Sequence, residues 1–124
     1  MRFMVIVKAT KDSEAGLLPT REQLTEMGKF NDKLAADGVM LEADGLKASS
    51  KGARLRFDGG RTTVIDGPFA ESKELIAGFW VVQAKSKQEV IERFISAPFG
   101  GGAELEIREF FELKEFDDIL AQAR

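Results

Sequence analysis

Asp66-Gly67-Pro68-Phe69, with the charged stretch Ala70-Glu71-Ser72-Lys73-Glu74 behind it, is where this sequence gathers residue types able to do chemistry. A carboxylate close to a lysine can hold a small polar ligand, and each group can shift the pKa of the other. Asp66, Phe69 and Lys73 are therefore candidate ligand-binding residues, Phe69 being an aromatic in a polar neighbourhood. The same residues equally describe a turn, in which Asp caps its own backbone, Gly takes a special conformation and Pro presets the chain direction. Glu42 is a further candidate: it shares a strand face with Met40, while Val39, Leu41 and Ala43 take the other. A cavity on the Glu42 face would raise its pKa; open solvent would leave it an ordinary surface glutamate. Asn31 stands at the edge of an apolar helical stripe, placed to bond a ligand or a loop, or simply to face water.

What is missing narrows the chemistry further. The chain has 124 residues and contains no histidine, cysteine or tyrosine. Without histidine there is no Ser-His-Asp arrangement, no imidazole metal site and no His-ligated haem. Without cysteine there is no disulfide, thiolate nucleophile or zinc-thiolate site. Any acid-base work must run on Asp, Glu or Lys, the catalytic residues cannot be assigned, and no metal or cofactor is expected. The run Gly100-Gly101-Gly102 lacks the spacing of a dinucleotide loop and opens no helix, so it reads as a tight loop. A net charge of -3 and a pI near 5.1 give no basic footprint for nucleic acid. The apolar run at the start is too short for a signal peptide or membrane span, so a cytoplasmic protein without a membrane partner is expected.

The elements that must position these residues follow from periodicity. Phe3 to Val7 is a continuous apolar run, which predicts a strand buried on both faces. Thr20-Arg21-Glu22-Gln23 has the capping-box pattern and predicts a helix with Leu24, Met27, Leu34 and Ala35 on its apolar stripe, Phe30 at its side, and Gly38 closing it. Val39 to Ala43 reads as a strand and 47–52 as a polar loop. Ala53 to Phe57 and Arg61 to Ile65 read as a hairpin around Asp58-Gly59-Gly60. About one helical turn is expected over 70–75. Ile76 to Val82 is a further apolar strand, with Trp80 in the core or at an interface. Ser86-Lys87-Gln88-Glu89 is a second capping box, and Val90, Ile91, Phe94 and Ile95 form the face of its helix. The pattern then predicts a last strand from Glu104 to Leu113, bulged near Glu109, and a short C-terminal helix carrying Phe116, Ile119, Leu120 and Ala123.

This order is an α+β one: a ferredoxin-like antiparallel sheet with an inserted β-hairpin and both helices on one face, over a single domain spanning 1–124. The helices leave the other sheet face open. Water should select polar residues there, yet the strands over Phe3 to Val7 and Phe79 to Val82 are apolar at successive positions. An apolar face needs a cover. The economical cover is a second copy of the same sheet, which predicts a homodimer pairing face to face; the simpler alternative is the C-terminal helix.

The segment Asp66-Gly67-Pro68-Phe69-Ala70-Glu71-Ser72-Lys73-Glu74 closely resembles the signature of DGPF proteins, within the wider YciI-like (YCII-related) family. The resemblance extends through Gly38-Val39, Gly45-Leu46, Ile76 to Trp80, and Ala97-Pro98-Phe99 to Arg108. It implies a dimeric α+β barrel. It also implies a His-Asp pair at an active site, and here this chain departs from the pattern. Met27 stands near where that histidine would lie, and Ala97 stands before Pro98 where the family tends to have Asp. The expected function is accordingly a homodimeric small-molecule-binding or regulatory module without His-based catalysis. The alternative is a small enzyme using Asp66, Glu42 or Lys73 in a cavity between the paired sheets. An adaptor tied to transcription finds no support in particular residues.

Overall fold

The computed structural model describes residues 1–70 and 74–122. Its main sheet has strands β1 (Arg2–Lys8), β2 (Met40–Gly45), β5 (Ile76–Gln83) and β6 (Leu105–Glu109), in the antiparallel order β2-β5-β1-β6. Between β2 and β5 the chain makes the hairpin β3 (Ala53–Asp58) and β4 (Arg61–Asp66), a separate two-stranded sheet. Helices α2 (Arg21–Ala36) and α3 (Lys87–Phe94) complete the βαββαβ plan, with α1 (Lys11–Glu14) before them and α4 (Asp117–Gln122) at the end. The result is the ferredoxin-like α+β fold with an inserted hairpin. Among the described residues, no helix is long and apolar enough to cross a membrane.

The core lies between the two long helices and one face of the sheet. Phe3 and Val5 of β1, Trp80 and Val82 of β5, Leu34 of α2, and Val90 and Phe94 of α3 are buried together. Alternation along each strand then puts Met4, Ile6, Phe79 and Val81 on the opposite face. That face is the apolar surface expected from the sequence. The alternative cover is not what α4 provides: Ile119 and Leu120 are 63% and 64% exposed, so its apolar side is not seated on the sheet.

Local chemistry explains the helix starts. The Thr20 hydroxyl accepts from the Gln23 amide and the Gln23 side chain accepts from the Thr20 amide, the reciprocal box expected. At α3 only half of the box forms. Ser86 caps the Glu89 amide, but the Glu89 carboxylate accepts from the Lys85 amide instead. Arg93 of α3 donates to Asp37 at the end of α2. That hydrogen bond holds the Asp37 carboxyl below its ordinary value, so the link is intact at neutral pH and fades only as pH falls through the lowered value.

Several expectations are corrected. Residues 11–14, where the sequence pattern gives no helix, form α1, and Ser13 takes the reciprocal capping role more often filled by Glu or Gln. The helical stripe of α2 runs through Met27, Phe30 and Leu34, whereas Leu24 and Ala35 are exposed. On α3, Ile95 is exposed rather than core. The last strand ends at Glu109, not Leu113, and its pairing with β1 has no bulge. Phe111 and Leu113 are exposed, and Leu113–Phe116 is a 3-10 turn. The turn expected over 70–75 lies largely outside the described residues.

Candidate functional site

The described part of the Asp66 segment, through Phe69, forms a latch. Ser49 sits at the centre, in a 3-10 turn over Ser49–Lys51. Its amide and its hydroxyl both donate to the Glu14 carboxylate of α1, and its hydroxyl oxygen accepts from the Phe69 amide at 3.0 Å. The Gly67 amide donates to the Gly52 carbonyl at 3.1 Å. A Cβ at Gly67 would lie 1.7 Å from the Ser49 carbonyl oxygen, so only glycine lets the two backbones come this close. The Gly67-Pro68 peptide is cis. Phe69 lies under the Arg54 guanidinium, 3.9 Å from ring centroid to Cζ, in a cation-π contact. Asp66 is exposed at the end of β4. Lys73 lies outside the described residues.

Glu42 is also exposed, and its relation to Met40 is corrected. A register shift between Met40 and Glu42 pairs Met40 with Val82 and Glu42 with Val81. Met40 therefore packs on the helix-side core, while Glu42 falls on the open sheet face. The bulge around Leu41 breaks the simple alternation that joins the two residues in sequence. Glu42 stands at the border of the apolar face rather than in a cavity.

Asn31 is the candidate that the fold places in a cavity. The pocket is about 250 Å³, at one end of the sheet on the helix-covered side. Met27 and Asn31 come from α2, Val7 from β1, Ala43 and Asp44 from β2, Phe79 and Trp80 from β5, and Phe99 from the loop after α3. Gly45 and Gly78 face each other across β2 and β5 in its floor, and Gly78 keeps the strands close: a Cβ there would meet the Asp44 carbonyl oxygen at 3.0 Å.

One polar contact organises this pocket. Trp80 Nε1 donates to Asn31 Oδ1 at 2.8 Å. Trp80 is only 4% exposed and packs edge-on against Phe94, Phe30 and Phe99, with ring centroids 5.1, 6.1 and 6.1 Å away. An indole N–H has no acceptor capacity, so the amide of Asn31 can meet it only through oxygen. Sequence reasoning missed the contributions of Val7, Ala43, Asp44, Phe79 and Phe99, because residues so far apart in the chain are joined only by the sheet and the loop after α3. Met27, standing near where the family resemblance would put a histidine, does line the pocket. Neither Asp66 nor Glu42 does.

A solved structure of 5-chloro-2-hydroxyhydroquinone dehydrochlorinase (TftG) from Burkholderia phenoliruptrix AC1100, in complex with 2,5-dihydroxybenzoquinone, matches with a TM-score of 0.46 at 15% identity, over 93% of this chain and 98% of that one. Uncharacterized protein R00369 of Rhizobium meliloti (strain 1021) is 40% identical over 69 residues, which is 56% of this chain and 56% of that relative. The match thus spans just over half of the relative's length. The family model of the YCII-related domain matches residues 1–114, and the chain belongs to that family.

Proposed function

We propose that the chain is one YCII-related domain over 1–124 that works in the cytoplasm as a homodimeric small-molecule-binding or regulatory module, without His-based catalysis. The observation that carries this reading is the Asn31–Trp80 pocket. Its walls are apolar and aromatic, with one oriented amide, the pattern of a binding site rather than of an acid-base pair. The candidate carboxylates Asp66 and Glu42 are exposed and do not line it. Homodimerisation is supported by the open apolar face of Met4, Ile6, Phe79 and Val81, which α4 does not cover with its own apolar side.

A cavity-filling variant tests the pocket. Small neutral aromatic compounds are expected to raise the melting temperature of the wild-type protein, because a ligand bound to the native state alone stabilises it. Met27→Trp puts a larger side chain into the same space. It is expected to weaken binding of those compounds at least tenfold while leaving the fold intact. Equal stabilisation of wild type and variant by the same compounds would place binding elsewhere and overturn the reading.

A further inference from the structure

Asn31 does more than line the pocket; its amide is held in one orientation. Trp80 Nε1 occupies Oδ1, so the outer group is the Nδ2 amine with its two N–H donors. Among the described residues, Nδ2 has no protein acceptor, and no buried side-chain polar atom is left without a partner. Nδ2 is therefore open to whatever fills the space beside it. Among the described residues the lining holds one further polar residue, Asp44, and its pairing with Phe79 turns the exposed carboxylate to the open sheet face. Among the described residues, no lysine or arginine lines the pocket.

From this we infer the class of ligand, on the premise that the pocket is a binding site as proposed above: a small neutral aromatic compound presenting a carbonyl oxygen to Asn31 Nδ2. The side chains of Met27, Trp80 and Phe99 on the helix-covered side select an apolar ring, whereas the Phe79 ring points to the open sheet face. The oriented amide selects an acceptor and rejects a donor. Among the described residues no cation lines the pocket to pair with an anion, and an unpaired buried charge is costly. Trp80 thus acts as a positioning residue: by occupying Oδ1 it makes Asn31 a donor toward the ligand.

Three probes of similar size separate the terms: acetophenone, ethylbenzene and benzoate. Binding is read by two-dimensional NMR, following the indole N–H of Trp80, the chain's single tryptophan. Acetophenone is expected to bind about fivefold more tightly than ethylbenzene, the size of one added hydrogen bond, and benzoate more weakly than either. Equal binding of acetophenone and ethylbenzene would overturn the acceptor inference and leave the pocket as a binding site. No shift with any probe at millimolar concentration would overturn both. Asn31→Asp adds a second arm. It keeps an oxygen for Trp80 but puts a carboxylate oxygen where the amine stood. The indole resonance is expected to stay hydrogen-bonded while the preference for acetophenone over ethylbenzene disappears. Retention of that preference in Asn31→Asp would show that another group reads the carbonyl, and would overturn the assignment.

Discussion

Trp80→Asp is expected to abolish folding. Trp80 is 4% exposed, stacked edge-on among Phe30, Phe94 and Phe99, and flanked in the sheet by Val5 and Ala43. Truncating a buried tryptophan alone costs about 3–5 kcal/mol through lost transfer energy and the cavity left behind. An aspartate adds an unpaired carboxylate in an apolar site, or the protonation needed to remove its charge. Together these approach the whole stability of a typical domain, about 5–15 kcal/mol. Circular dichroism should show an unfolded or molten chain at room temperature. A variant that melts cooperatively within a few degrees of wild type would contradict the placement of Trp80 in the core.

Gly67→Ala is expected to release the hairpin without unfolding the main sheet. The added Cβ would fall 1.7 Å from the Ser49 carbonyl oxygen and 2.6 Å from its carbon, both backbone atoms without a rotamer to yield. Relief requires the strand end to part from the Ser49 turn. That loses the Gly67 amide bond to Gly52 and the Phe69 amide bond to Ser49. Overpacking of this kind costs about 1–3 kcal/mol, and more where backbone must move. Hydrogen exchange should speed up at Gly67, Phe69 and Ser49 and across β3 and β4, with β1 and β5 unchanged. Asp66→Ala, one residue earlier and exposed, should shift stability by less than about 0.5 kcal/mol. Equal protection in Gly67→Ala and wild type would show that the close approach is not held in solution.

The contrast between these two neighbours shows what a sequence can and cannot convey. The Asp66-Gly67-Pro68-Phe69 run stands out by composition, and its turn chemistry is legible locally. Its purpose is not, because the backbone that makes Gly67 necessary belongs to Ser49 and the anchor belongs to Glu14. The strands β1 and β5 and the hairpin were legible because apolar runs and a Gly-Gly turn are local signals. The end of β6 was not. Alternation beyond Glu109 continues in sequence, but the ladder with β1 runs to the Phe3–Glu109 pair and the Phe110 amide bond to the Arg2 carbonyl, a limit that side-chain pattern does not carry. The bulge after Met40 was hidden because Val39, Met40 and Leu41 are all apolar and fit either face.

The site was legible in the same partial way. Asn31 could be singled out by its position beside the stripe of α2. What fixes its amide is an indole 49 positions later in the chain, carried there by the sheet register. The carboxylate candidates are conspicuous in sequence, and their strands carry Asp66 and Glu42 to exposed positions that do not line this pocket.

The open sheet face supplies the most direct test of the assembly on which the proposed function rests. Met4, Ile6, Phe79 and Val81 form an apolar surface that a second copy would bury. Sedimentation equilibrium at micromolar concentration should give the wild-type protein twice the chain mass of 13.7 kDa, and Phe79→Asp, with a charge in the middle of that face, the mass of 13.7 kDa with its fold retained. A wild-type mass of 13.7 kDa under those conditions would contradict the paired-sheet account.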